Sequence, residues 1–229
     1  MKSYRVLAVL KIQNLSNCAV FFDFDNTITT IDVFDDIIQK FSVNGDWIRY
    51  ENLWRDGKIG SKECIEAQLK GVRVEKETLN KYLQKIKLDA SFGKLLALLR
   101  RYNVHPVILS DSFTSFIHAI LKHHNIRNVP VYANTLRYEK DRLIPSFPYR
   151  NSQCKRCAHC KRTHLIKPSM AEKTRIYIGD GLSDICPSLE ADIVFAKDKL
   201  IDYLKKEKRT CLEFKHLKDV YDLLKKAQT

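Results

Sequence analysis

The sequence predicts an α/β protein built on a parallel β-sheet with helices on both faces, with a small helical segment inserted after the first strand. Three observations carry this reading. Short apolar runs alternate with helix-spaced apolar patterns along most of the 229 residues, the rhythm that a parallel sheet and its crossover helices impose. Residues 31–89 depart from that rhythm and stay helical, with no strand-like stretch between them. Polar clusters rich in aspartate follow the strands, and open parallel sheets bind ligands at the carboxyl ends of their strands.

The elements follow in order. Residues 1–18 are either an extra strand or a peripheral segment. Residues 19–24 form a buried strand that runs into a polar turn. In residues 31–41 the apolar positions Ile31, Val33, Phe34, Ile37, Ile38 and Phe41 fall at helical spacing, and Asn44-Gly45 ends the pattern. Shorter helical pieces cover residues 47–54, 61–69 and 76–86, punctuated by Gly57, Gly60 and Gly71, with Ser61 as an N-cap. The alternation then resumes with a helix over 92–102, a strand over 104–109 ending in Ser110-Asp111-Ser112, and a helix over 113–123. A short strand at 129–133 precedes a hairpin of 135–138 with 142–144. Beyond a cysteine-rich loop come a strand at 175–178 ending in Gly179-Asp180-Gly181, a helix at 183–191 and a strand at 193–196. A helix at 200–206, a short strand at 212–214 and a helix at 217–226 complete the chain. The domain division expected is a core of residues 1–30 and 90–229, with a helical cap of residues 31–89.

Composition narrows the class. Apolar residues make up 45% of the chain, enough for a substantial core and against general disorder. The formal net charge of +13 favours an anionic partner, although the C-terminal lysines fall on solvated helix faces. Seven cysteines, an odd number with three clustered, do not make a secreted disulfide framework. The apolar run at residues 6–10 is too short for a membrane span. A cytoplasmic protein without membrane association is expected. No internal repeat or low-complexity linker is present.

Three strand ends carry the chemistry. Asp23 and Asp25 stand at i and i+2 after the first strand. Ser110 follows the second. Asp180 and Asp184 flank a glycine turn after a later one. Read singly, each is a turn or a helix cap. Together, four carboxylates in one cleft cannot all stay charged without compensation. A hard divalent cation with oxygen ligands, Mg²⁺, suits them, since it keeps room for waters and a substrate phosphate. A serine hydroxyl and the N–H groups of a helix start suit phosphate oxygens, and a lysine would supply the remaining positive charge.

The ordered set Asp23-Phe24-Asp25-Asn26-Thr27, Ser110, a downstream lysine, and Gly179-Asp180-Gly181-Leu182-Ser183-Asp184 resembles the signature of haloacid dehalogenase-superfamily phosphatases over about residues 19–226. The helical block matches the cap of the phosphoserine-phosphatase-like branch. The resemblance implies a Rossmann-like core and a role for each residue. Asp23 is the nucleophile, and Asp25 the general acid and base. Ser110, Asp111 and Lys161 hold the substrate phosphate. Mg²⁺ is held by Asp23, the Asp25 backbone carbonyl and Asp180, with Asp184 in support. The acid at position 25 favours a phosphatase over the dehalogenases and P-type pumps, which lack it. Lys161 is preferred over Lys155, Lys167 and Lys173 because Cys-Lys closes a cysteine run, as in the branch containing 2-hydroxy-3-keto-5-methylthiopentenyl-1-phosphate phosphatases of methionine salvage. Phosphoserine and phosphoethanolamine/phosphocholine phosphatases are the alternatives. Asp32 stands where phosphoserine phosphatases carry Glu. Asn26 stands where Gly or Ser is common, and catalysis should tolerate it. No motif marks Arg49, Arg55 or Arg73 as a substrate ligand. Glu51, Trp47 and Trp54 are candidates for a pocket wall, although the two tryptophans, at i and i+7, are better read as core.

The cysteine loop has a separate reading. Cys154, Cys157, Cys160 and His164, with His159 as an alternate, offer a tetrahedral Zn²⁺ set. Iron–sulfur ligation lacks its fourth cysteine. Reduced thiols shaping the loop around Lys161 are preferred to either metal. The expected partner is a small phosphorylated metabolite. The rival from another class is a nucleic-acid-binding protein on this scaffold, drawn from the charge and the basic cysteine loop. The intact aspartate set argues against it.

Overall fold

The computed structural model describes residues 12–228, so residues 1–11 of the undecided N-terminal segment lie outside the described residues. A 3-10 turn at Leu15–Asn17 leads into the first strand. The strands are β1 (Cys18–Phe22), β2 (Val107–Phe113), β3 (Val131–Glu139), β4 (Arg142–Ser146), β5 (Thr174–Gly179), β6 (Ile193–Ala196) and β7 (Leu212–Glu213). They form one sheet in the order β4-β3-β2-β1-β5-β6-β7. All neighbours are parallel except β3 and β4, which pair as the expected hairpin. From β1 the chain builds outward through β2 and β3, then returns to β5 on the other side of β1. The switch in direction lies beside β1, where such sheets open a crevice.

The apolar alternation explains the layers. β1 is buried along most of its length, as a central strand covered on both faces must be. Phe22 meets Phe92 edge to face at 5.8 Å, joining β1 to helix α5 (Phe92–Arg101). That helix also packs against the C-terminal helix α10 (Leu217–Lys226). Its apolar stripe of Phe92, Leu95, Leu96 and Leu99 is fully buried. Removing one such leucine side chain typically costs about 2–5 kcal/mol.

Between β1 and β2 lie α1 (Val33–Phe41), α2 (Trp47–Arg55), α3 (Ser61–Lys70) and α4 (Lys76–Leu83), with no strand of the sheet among them. Asp32 caps α1, its side chain accepting the Asp35 N–H at 2.9 Å. A bridge between Thr29 and Leu88 ties the chain where it leaves the sheet to where it returns. The remaining helices are α6 (Thr114–His123), α7 (Arg162–Leu165), α8 (Ile185–Glu190) and α9 (Asp198–Lys206).

Three local expectations change. The strand expected to end at Leu109 continues to Phe113, with a register shift between Ser110 and Phe113. Such an irregularity re-aims side chains at a strand end, and it falls where Ser110 and Asp111 are needed. The short strand and the first hairpin arm merge into the single strand β3. Asn134, between them, is buried rather than at a turn. It donates to the Asp111 carbonyl at 2.6 Å. The helix expected from 183 begins as a 3-10 turn at Leu182–Asp184, which places Asp184 at the start of α8.

Candidate active site

β1 delivers the first carboxylate. The Asp23 N–H donates to the Ile178 carbonyl at 2.8 Å, which continues the β1–β5 register by one residue past Phe22. The chain then turns tightly. The N–H groups of Ile28 and Thr29 both point to the Phe24 carbonyl. Asn26 sits at a φ of 51°, a left-handed conformation that asparagine tolerates better than most residues. This turn brings Asp25 back over the sheet edge. Its Oδ1 accepts the Val33 N–H at 3.1 Å, at the start of α1, and its Oδ2 accepts the Ser110 hydroxyl at 3.2 Å. The inserted helices and β2 thus orient the same carboxylate.

Lys161 lies at the centre, 1% exposed. Its ammonium group contacts Asp23 Oδ1 at 2.6 Å, Asp184 Oδ1 at 2.7 Å and Ser183 Oγ at 3.1 Å. A buried charge of this kind persists only with close partners. Burial opposes its charge, but Asp184 and Asp23 outweigh that and hold Lys161 above its ordinary range. Burial also pushes Asp23 well above the usual carboxylate range; Asp184 adds to the shift and Lys161 opposes it. Asp25 is raised to about 6 by burial, moderated by its bonds from Ser110 and Val33. Asp180 is raised to about 6 by burial and then by Asp184. Asp111 is raised to about 6 by burial, with Lys161 and the His159 N–H acting against the shift.

Asp184 is fully buried and saturated with donors. Tyr177 donates to its Oδ1 at 2.6 Å alongside Lys161, and the N–H groups of Asp180 and Gly181 each donate to its Oδ2 at 3.0 Å. A Cβ on Gly179 would lie 2.7 Å from the Asp184 carboxyl carbon, so this packing requires glycine. Asp180 faces the cleft, its oxygens held by Asn26 Nδ2 at 2.8 Å and Thr27 Oγ1 at 3.2 Å. Asn26 also donates to Asp198 at 2.9 Å, so this departure from the usual motif residue anchors two acids. One oxygen each from Asp23, Asp180 and Asp184 falls within a mutual 4.8 Å.

The structure therefore brings together Asp23, Asp25, Ser110, Lys161, Asp180 and Asp184, with Asp111 on the cleft wall. It does not assemble Cys154, Cys157, Cys160 and His164. Among the described residues, Asp23, Asp180 and Asp184 form the one group of three or more ligands within metal reach. His164 instead meets His159, Nε2 to Nε2 at 2.9 Å. All seven cysteines are free thiols. The neighbouring Cys157 thiol lowers Cys186 to about 6. The two tryptophans part company. Trp47 packs partly buried on the core, while Trp54 lines the cleft and donates from its indole to Ser61 Oγ at 2.9 Å. Glu51 lines the cleft as expected, paired with Arg55 at 2.7 Å. Arg73 turns away to Asp141 and to nearby carbonyls.

Sequence reasoning missed Tyr177 and Cys186, and met His159 only as an alternate zinc ligand. Tyr177 alone carried a signal: a phenol between two buried isoleucines of a strand needs a polar partner.

Solved structures share this architecture. A phosphoserine phosphatase with a phospho-aspartyl intermediate analogue aligns with a TM-score of 0.71 at 17% identity, covering 90% of this chain and 98% of that one. A cytosolic 5'-nucleotidase IIIB bound to cytidine aligns at 0.60 with 14% identity, covering 97% of this chain and 91% of that one. The fold is that of the haloacid dehalogenase-type phosphatases. Within that class the chain belongs to the family described as "Putative Phosphatase", which matches residues 18–214, and the protein is a phosphoric monoester hydrolase. It is 25% identical over 213 residues to a 2-hydroxy-3-keto-5-methylthiopentenyl-1-phosphate phosphatase of Brevibacillus brevis, covering 91% of this chain and 96% of that protein. It is also 25% identical over 219 residues to Pdp3-interacting factor 1 of Schizosaccharomyces pombe, covering 90% and 94%.

Proposed function

We propose that the protein is a Mg²⁺-dependent phosphomonoesterase that hydrolyses a small phosphorylated metabolite through an aspartyl-phosphate at Asp23. The observation that carries this is the convergence of Asp23, Asp180 and Asp184 around the buried Lys161. The donor set fits a hard cation. It offers carboxylate oxygens only, and burial has raised both Asp23 and Asp180, so the site favours added positive charge. Asp23, Asp180 and the Asp25 backbone carbonyl would hold the ion. Asp184, already saturated with donors, would support from behind by fixing Lys161 and the turn at Asp180. When bound, the ion would neutralise charge on the phosphoryl oxygens.

The chain's own residues supply the remaining chemistry. Ser110 and Lys161 hold phosphoryl oxygens beside Asp23, with Asp111 behind them. A carboxylate oxygen of Asp23 attacks phosphorus as the bond from phosphorus to the leaving oxygen breaks, and Asp25 gives its proton to that oxygen. Asp25 then takes a proton from water. The water oxygen attacks phosphorus, and the bond to Asp23 breaks, releasing inorganic phosphate. A carboxyl group titrating near 6 serves as acid and base near neutrality. Of the domain division expected, residues 31–89 would be a cap over a core whose described part is residues 12–30 and 90–228. α1 contributes Val33 to Asp25, and α2 and α3 line the cleft.

The relatives' names support the methionine-salvage substrate. A second reading rests on the cleft wall, where eight carboxylates, including Asp32, Asp35 and Glu51, outnumber Lys199 on the wall, the buried Lys161 beside Asp23 and Arg55 beside Glu51, in a chain of net charge +13. Burial and then Glu51 raise Asp35 to about 6. This wall, with Trp54 and Phe34, suits a leaving group bearing an ammonium charge, as in phosphoserine, phosphoethanolamine or phosphocholine. It also opposes nucleic-acid phosphates. Seven free thiols support a reducing, cytoplasmic location. Among the described residues, no helix is long and apolar enough to cross a membrane.

The test is phosphate release from a panel of these esters, with Mg²⁺ and with EDTA. Metal-dependent release is expected, and its ranking chooses the substrate. Equal release in EDTA would overturn the cation assignment.

A further inference from the structure

His159 is bonded to all three residues assigned to the substrate phosphate. Its ring Nδ1 meets the Ser110 carbonyl at 3.0 Å, its backbone N–H donates to Asp111 Oδ1 at 3.1 Å, and its carbonyl accepts the Lys161 N–H at 2.9 Å. The first of these contacts falls where the β2–β3 register breaks, so the ring supplies a bond at an irregular point of the ladder. A carbonyl oxygen can only accept, so His159 carries its proton on Nδ1 and presents a bare Nε2. His164 Nε2, 2.9 Å away, must then be the donor. That leaves His164 Nδ1 as an acceptor, and it is buried with no hydrogen-bond partner. A proton there would have nowhere to bond, which fixes His164 as the neutral Nε2–H form. The two rings are 1% and 5% exposed, and Tyr149 and Tyr132 pack against them with centroids 4.6–5.4 Å apart. Burial lowers His159 to about 3 and His164 to about 4, so both stay neutral.

We propose that His159 is a positioning residue: oriented by the donor at His164, its ring holds the Ser110 end of β2 in register with Lys161, so that serine and lysine meet the same phosphoryl group. This rests on the assignment of Ser110 and Lys161 as phosphate holders. The relay points one way, from His164 through His159 to Ser110, and it joins α7 and the loop before it to the end of β2. Its effect is on alignment, and a displacement of about 1 Å costs on the order of 10²-fold in rate.

The test compares His159→Leu with His159→Asn in the full chain, using the best ester from the panel. The asparagine amide can donate from near the Nδ1 position, and leucine cannot. His159→Leu should lose about 10²-fold in kcat with KM within severalfold, while His159→Asn should stay within about fivefold of wild type. A purely packing role would penalise both alike, since both lose the ring. Equal losses, or a fully active leucine variant, would overturn the proposal. If the leucine variant does not fold, ring-nitrogen NMR of the wild-type protein decides. His159 protonated on Nδ1 and His164 on Nε2 are expected, and the opposite pair of tautomers would refute the relay. Wild-type turnover abolished by Ser110→Ala and Lys161→Met tests the underlying assignment separately.

Discussion

Removing the cation should expose a pH-dependent instability. Burial and Asp184 raise Asp180 from an ordinary 3.8 to about 6, and Asp25 is raised similarly. A carboxyl group raised in this way binds its proton more tightly in the folded than in the unfolded state. Its charge therefore costs stability in full above pH 6, and the cost disappears as pH falls towards 3.8. For Asp180 that cost is about 3 kcal/mol. A cation bound by the folded form alone offsets it. At a concentration 100 times its Kd the gain is about 2.7 kcal/mol, which for a chain of this length raises the Tm by roughly 5–11 °C. The assay is thermal unfolding with Mg²⁺ and with EDTA between pH 5 and 8. The Mg²⁺-dependent rise should be largest above pH 7 and shrink as protons compete near pH 6. Asp180→Asn should stabilise the metal-free protein at pH 7.5 and remove most of the rise. A rise of equal size at pH 5 and pH 7.5, or one undiminished in Asp180→Asn, would refute the reasoning.

Other outcomes follow from the same geometry. Lys161→Met leaves Asp23 and Asp184 buried without their counter-charge, so denaturant unfolding should show a loss of about 3–5 kcal/mol, together with loss of turnover. Asp25→Asn removes the proton donor, and kcat for an alkyl phosphate should fall about 10²–10⁴-fold. First-turnover release of p-nitrophenol, a leaving group that needs no proton, should slow far less than first-turnover release of an alkyl alcohol, and an equal slowing of that step would contradict the acid assignment. Glu51→Gln removes one carboxylate from the cap wall. KM for an ammonium-bearing ester should rise while KM for a neutral-tailed ester stays level, and the reverse would favour the methionine-salvage substrate. Asp219 accepts the N–H groups of Lys215 and His216 at the start of α10, which lowers its carboxyl below the ordinary 3.8. Asp219→Ala should cost about 1 kcal/mol above pH 4. The deficit should vanish as the wild-type carboxyl is protonated at lower pH.

The legible parts of this protein are those written in local pattern. β6 and α10 fall on their expected residues because a short apolar run and a 3.6-residue stripe each depend on neighbours in sequence. The aspartates of the site were readable because strand ends and glycine turns mark them. Lys161 was harder, since only its place after Cys160 separated it from three other lysines, and its pairing spans 138 residues to Asp23. The continuation of β2 through Ser110-Asp111-Ser112 was hidden. Polar residues read as a turn, and what holds them in a strand is Asn134 and His159, far along the chain. The partners of His164 were hidden for the same reason. Spacing grouped it with the thiols, whereas the ring packs against Tyr132 and Tyr149. Trp54 shares a helix face with Trp47, but helix periodicity does not say that one end of that face opens on a cleft.

The central claim is that phosphate passes through Asp23, and chemical trapping tests it most directly. Protein quenched during turnover with Mg²⁺ and the best ester, then treated with borohydride, should convert an aspartyl-phosphate into homoserine. Peptide mass spectrometry should place that change at residue 23, with none at Asp25 and none without substrate. Rapid phosphate release with residue 23 unmodified, or the change at another aspartate, would contradict the account.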